Sequence, residues 1–179
     1  MKQILVTGAA GQIGSELIPV LRKRYGSENV IAAGHKTQPD KELLEGGVFC
    51  CLDVRDLEAV EKIIKEHSVD TVYHLAALLS AAAEKDPQLA WDVNINGLRN
   101  ILEAARKFNL SVFFPSSIGA FGPSTPADNT PQDTIQRPAT IYGITKLTGE
   151  LLCDYYFTRY GVDTRGLRFP GLVSYKTLP

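Results

Sequence analysis

Short unbroken apolar runs alternate along the chain with stretches in which apolar residues recur every three or four positions. The first run, Ile4-Leu5-Val6, is continuous, so residues 3–7 are expected to form a strand covered on both faces. Ile13, Leu17, Ile18, Val20 and Leu21 predict a helix over residues 12–24, with Gly26 as its stop signal. Pro19 lies inside it and is expected to remove a hydrogen bond and bend the axis. Residues 29–33 and 48–52 predict the second and third strands, joined by a polar connection at 34–47 with no predicted structure. Leu57, Val60, Ile63 and Ile64 give the next helix its apolar face. A fourth strand is expected at 70–75, a long helix at 87–107 broken by Gly97, and a fifth strand at 110–115. Residues 116–137 are rich in Ser, Thr, Pro, Gly and Asn and read as loop. A helix over 141–160, ended by Gly161, leads to a sixth strand at 162–169. This alternation predicts an α/β fold, a doubly wound parallel sheet with helices on both faces. Its ligand crevice is expected at the carboxyl ends of the strands, where the winding direction reverses.

Composition narrows the partners. The 179 residues suit one domain, here expected to span 1–179. With 19 Lys+Arg against 20 Asp+Glu, the net charge of −1 gives no general pull toward nucleic acid or an anionic membrane. No apolar run approaches the ~18 residues of a membrane span. The start, Met1-Lys2-Gln3-Ile4-Leu5-Val6, lacks the regions of a signal peptide, so a cytoplasmic protein is expected. Cys50, Cys51 and Cys153 have neither zinc-site spacing nor an even count, and read as small buried hydrophobes in a reducing compartment. No metal site is expected.

The first chemical signal is Gly8-Ala9-Ala10-Gly11-Gln12-Ile13-Gly14, between the first strand and an amphipathic helix. Gly8 permits the tight turn, Gly11 lets backbone approach a pyrophosphate, and Gly14 allows close helix–strand packing. The helix amino terminus supplies N–H donors toward the phosphates. A dinucleotide site on a Rossmann-type sheet follows. Asp53, after the third strand, suits either an acceptor for the adenine amino group or a helix-start residue. After the fourth strand comes His74-Leu75-Ala76-Ala77, whose small residues let a flat cofactor lie against the backbone. His74 itself reads as a satisfied structural histidine.

The second signal is Tyr142 and Lys146, four apart and so on one helix face. A phenol is a poor base at neutral pH, and a neighbouring ammonium is expected to lower its pKa. Ser117 ends the fifth strand beside the same crevice, where its hydroxyl can hold a substrate oxygen. A lone Tyr-x-x-x-Lys reads as a solvated helix face; together with the glycine turn and the strand-end serine it reads as catalytic.

These motifs, with Asp53-Val54, Asn94-Ile95-Asn96-Gly97 and Arg168-Phe169-Pro170-Gly171, resemble the extended short-chain dehydrogenase/reductase family over essentially the whole chain. Within it, Ala76–Ala81, Pro115–Pro123 and Arg168–Lys176 look most like the epimerase-like L-threonine 3-dehydrogenases. The resemblance implies NAD as cofactor and Ser117, Tyr142 and Lys146 as the catalytic set. Cofactor contacts are expected from Gly8, Gly11, Gln12, Ile13, Gly14, Asp53, Val54, Leu75, Ala76, Ala77, Asn94, Tyr142, Lys146, Phe169 and Pro170. Substrate contacts are expected from Ser80, Ser117, Tyr142 and Gly171. The implied reaction oxidises the threonine side-chain hydroxyl to give 2-amino-3-oxobutanoate. A nucleotide-sugar epimerase or dehydratase, and a dinucleotide-binding module without turnover, are the alternatives. A homodimer acting on a small-molecule substrate is expected.

Two departures from the family bear on function. Family members usually carry an acidic residue at the end of the second strand, to bind the adenosine ribose. Gly34 stands there, followed by His35 and Lys36, which admits NADP unless another acid such as Asp40 folds back. Family members also run to about twice this length, so a carboxyl-terminal substrate lid is expected to be missing after Pro179.

Overall fold

The computed structural model describes residues 2–174. β1 (Ile4–Thr7) and β2 (Val30–Gly34) are buried at every position, as their unbroken apolar runs require. With β3 (Phe49–Cys51), β4 (Thr71–His74), β5 (Ser111–Ser117) and β6 (Thr164–Phe169) they form one parallel sheet in the order β3-β2-β1-β4-β5-β6. The winding reverses between β1 and β4, the place where open α/β sheets hold ligands. The pleat sends alternate residues to opposite faces. Ile4 and Val6 pack with Ile18 and Leu21 of α1 (Gln12–Tyr25), and with Leu43. Leu5 packs on the other face with Val60 and Ile64 of α3 (Leu57–Glu66) and Leu98 and Ile101 of α6 (Gly97–Phe108). That face also receives Cys153 and Tyr156 of α7 (Ile141–Tyr160).

Several elements differ from their sequence expectations. The polar connection contains a short helix, α2 (Lys41–Glu45), capped by Asp40, whose Oδ1 accepts from Leu43 N at 2.7 Å. Five residues with one buried side chain give too little periodicity to read. Held at this cap, Asp40 is not among the residues lining the cleft beside Gly34. A second short helix, α4 (Ser80–Lys85), escaped for the same reason: it is alanine-rich and only Ala83 is buried.

Gly97 does not break the long helix. α5 (Pro87–Trp91) runs through a π turn at Asp92–Asn96 straight into α6, and Gly97 is itself helical. Its hydrogen occupies the space where a Cβ would meet Val54 Cγ2 at 2.7 Å, so this glycine serves close packing. α1 continues through Pro19 to Tyr25. β5 runs past Pro115 to Ser117 in parallel register with β6, which moves Ser116 and Ser117 from loop to strand.

Only Cys153 of the three cysteines is buried; Cys50 is half-buried and Cys51 exposed, because β3 is an edge strand. Among the described residues no helix is long and apolar enough to cross a membrane. Tyr175, Lys176 and the stop at Pro179 lie outside the described residues.

Candidate active site

A cleft of about 650 Å³ opens at the carboxyl ends of the strands. Its floor is the glycine turn. Gly8 has φ +67°, and a Cβ there would lie 2.6 Å from Ala76 N, so the turn rests directly on the exit of β4. A Cβ on Gly14 would lie 2.5 Å from Ala9 O, which keeps α1 close to the turn. Gly11 is the N-cap of α1, and no side chain caps the first helical turn. The cradle therefore fits a pyrophosphate: small residues allow approach, and backbone donors point into the cleft. Gln12 reaches across to donate to Leu172 O at 3.3 Å, tying the segment after β6 to this turn.

An adjoining cavity of about 200 Å³, of a size to take the adenosine end of a dinucleotide, is lined by Gly34, His35, Asp53, Val54, Arg55 and Ala77 among others. Asp53 is not the helix-start residue; Asp56 caps α3 by accepting from Ala59 N at 3.0 Å. The Asp53 carboxylate instead accepts from Arg55 Nη2 at 2.6 Å and Nε at 3.0 Å, and faces His35 Nδ1 at 3.6 Å. The Arg55 hydrogen bonds hold its pKa down at about 2, so it is ionised across the physiological range. Arg55 also reaches Asp92 at 3.2 Å. Arg55 was legible only as a neighbour two positions on from Asp53, in the short connection between the third strand and the helix after it.

At the other end stand Ser117, Tyr142 and Lys146, with Phe169, Pro170, Gly171 and Ser80 on the same cleft. Thr140 caps α7 by accepting from Gly143 N at 3.0 Å, which places Tyr142 in the first helical turn, over the end of β5. Lys146 Nζ donates to Pro115 O at 2.7 Å and lies 5.6 Å from the centre of the Tyr142 ring. Lys146 is only 6% exposed, and burial pulls its pKa down to about 8. The Tyr142 pKa is raised rather than lowered. Burial of the phenol is the largest effect, and a hydrogen bond with Ser117 opposes it. The lowering by the ammonium that spacing alone predicts is not among the causes of the shift; desolvation of the half-buried ring sets its direction.

Asn94 does not line the cleft. Its Oδ1 accepts from Leu78 N at 2.7 Å, and its Nδ2 donates to Leu78 O at 3.1 Å and Thr145 Oγ1 at 3.0 Å. All three bonds are to groups of the protein, so Asn94 braces the strand exit against α7. The π turn is what aims it there. His74 is satisfied on one nitrogen only. Its Nδ1 lies 3.0 Å from Thr7 Oγ1, which also accepts from Ala76 N at 3.3 Å, while its buried Nε2 has no partner among the described residues.

The model of the NAD dependent epimerase/dehydratase family matches residues 4–177. The chain belongs to that family. An uncharacterized epimerase/dehydratase of Staphylococcus aureus is 54% identical over all 179 residues, which are 56% of that protein's length. The structure of L-threonine dehydrogenase from Clostridium difficile superposes with a TM-score of 0.97 at 55% identity, covering 100% of this chain and 56% of that one. UDP-glucose 4-epimerase from Thermotoga maritima superposes with a TM-score of 0.85 at 31% identity, covering 92% of this chain and 54% of that one. The chain therefore spans a little over half the length of these relatives. The cradle described above fits the dinucleotide for which that family is named.

Proposed function

We propose that residues 1–179 form the dinucleotide-binding part of an L-threonine 3-dehydrogenase. The observation that carries this reading is the meeting of Ser117, Tyr142 and Lys146 at one end of a cleft whose other end is a glycine cradle. The closer likeness to a threonine dehydrogenase than to a sugar-nucleotide epimerase, 55% against 31% identity, supports the substrate.

Bound NAD supplies the hydride acceptor. Tyr142, as phenolate, takes the proton from the threonine side-chain hydroxyl. With the hydride taken from the carbon bearing that hydroxyl, the product would be 2-amino-3-oxobutanoate. Ser117 orients the reacting oxygen through the hydroxyl that also meets Tyr142. Lys146 supplies a positive charge under the phenol ring while its Nζ is held on Pro115 O. Phe169 and Pro170 wall the nicotinamide end, and Ser80 and Gly171 face the substrate. NADH formation with threonine, set beside retention of UDP-glucose or UDP-galactose, separates this reading from the epimerase.

At the adenosine end the dinucleotide is read without the usual acid. Loss of a charged acceptor costs NAD on the order of 1–3 kcal/mol and removes the repulsion of a 2′-phosphate. His35 and Lys36 line that cavity. Titration calorimetry is expected to give NAD and NADP affinities within about tenfold of each other, roughly 1.4 kcal/mol. Gly34→Asp swings the preference to NAD. The new Cβ would sit 3.2 Å from Phe49 Cζ, so the half-buried ring must give slightly. A wild-type preference for NAD above about a hundredfold (~2.7 kcal/mol) would show that the ribose is read by another group.

A further inference from the structure

Glu150 lies four residues beyond Lys146 and eight beyond Tyr142, on the same face of α7. Successive residues at the end of β5 are tied to successive turns of that helix. The Pro115 carbonyl accepts from Lys146 at 2.7 Å, Ser116 Oγ donates to Glu150, and Ser117, the next residue, lines the same end of the cleft as Tyr142. Glu150 is in turn gripped by Arg168, which stands opposite Ser116 in the β5–β6 register. Arg168 Nη2 donates to Glu150 Oε2 at 2.8 Å and Nε to Oε1 at 3.0 Å, with both side chains only 17% exposed. The same pair holds the long loop between β5 and α7. Arg168 Nη1 donates to Gln132 O at 3.1 Å, and Gln136 Nε2 lies 3.5 Å from Glu150 Oε2.

We propose that Glu150, locked by Arg168, is a positioning residue for proton transfer: by holding Ser116 it sets β5 against α7 so that Ser117 stays beside Tyr142 and the Pro115 carbonyl stays on Lys146. The inference rests on Tyr142 being the base, and it names a residue that touches neither cofactor nor substrate. Ser116 and Ser117 are adjacent on one strand, so a displacement of the first moves the second. A carboxylate held by a two-pronged guanidinium resists such displacement better than a neutral group. Removing one partner of a largely buried pair leaves the other uncompensated, which favours local rearrangement.

The test is the ionisation of Tyr142, read as the phenolate absorbance of the protein minus that of its Tyr142→Phe counterpart. Charge alone predicts one direction. Glu150→Gln removes a negative charge and leaves Arg168 unpaired, which favours the phenolate and moves the midpoint down. Loss of the Ser117 contact moves it up. Ser117→Ala is expected to raise the midpoint by about one pH unit. Glu150→Gln is expected to raise it by at least roughly half as much, with no further rise in the double variant. Glu150→Asp, which keeps the charge, is expected to restore part of the shift, and Arg168→Lys to raise the midpoint without touching Glu150. A melting temperature lowered by Glu150→Gln with the Tyr142 midpoint unchanged or shifted downward would overturn the proposal. So would full additivity with Ser117→Ala. If Glu150→Gln does not fold, the Arg168→Lys midpoint decides alone. The titration needs no turnover, so absent threonine oxidation with the expected shifts would reject the substrate and leave this role standing.

Discussion

Tyr142→Phe removes roughly 10²–10⁴-fold of the threonine-dependent rate while NAD affinity stays within a few-fold, because the phenol oxygen acts on the reacting proton and not on the dinucleotide already bound. The half-buried ring keeps the phenol protonated at neutral pH, so the wild-type rate is expected to rise with pH as the pair Tyr142/Lys146 loses a proton. Lys146→Ala behaves differently. It removes the positive charge 5.6 Å from the phenol ring centre and frees the Pro115 carbonyl, so both rate and NAD affinity fall. Single-turnover rates and calorimetric affinities for the two variants separate these roles. A Tyr142→Phe protein with wild-type rate, or one that has lost NAD binding altogether, is incompatible with a base at this position.

Acid is expected to unfold the protein through His74. The ring is fully buried and held neutral, its pKa lowered to about 3, chiefly by burial and secondarily by the charge of Lys146. Above pH of about 6.5 the imidazole is neutral in both folded and unfolded chains and contributes no pH dependence. As pH falls below that value the unfolded chain takes up a proton that the folded chain refuses until about pH 3. Stability therefore drops through this window, by an amount on the order of a few kcal/mol. Asp53 also has a lowered pKa, set first by the Arg55 hydrogen bond, but its loss of stability begins only below its unfolded pKa near ~4. Denaturant unfolding at pH 7.0 and about 5.0 isolates the histidine. His74→Leu should flatten the difference, at the cost of the Thr7 contact at both pH values. An equally steep decline in that variant would assign the acid limb elsewhere.

The sheet was legible because its signal is redundant. Continuous runs such as Ile4-Leu5-Val6 can only be covered on both faces, and the helices between them repeat at a period the strands cannot share. Short helices were not, since α2 and α4 each bury a single side chain and so leave no period to detect. Gly97 misled for a related reason. A glycine inside a helical pattern signals either a break or a close approach, and only the position of Val54 distinguishes them. In the site, spacing placed Tyr142 and Lys146 on one face and the glycine turn under the cleft. Spacing is silent on burial, so it missed the direction of the Tyr142 shift. Nor does it reveal long-range partners. The contacts of Asn94 with Leu78 and Thr145, and of Glu150 with Ser116 and Arg168, join residues far apart in the chain.

The most direct measurement follows one hydrogen. Threonine carrying deuterium on the carbon that bears its side-chain hydroxyl is mixed with NAD and an excess of the protein, and the dinucleotide is recovered and weighed by mass spectrometry. Transfer of one deuterium to the nicotinamide ring, lost in Tyr142→Phe, is the expected result. Recovery of unlabelled dinucleotide from a protein that demonstrably binds NAD, or label transfer that persists at full rate in Tyr142→Phe, contradicts it.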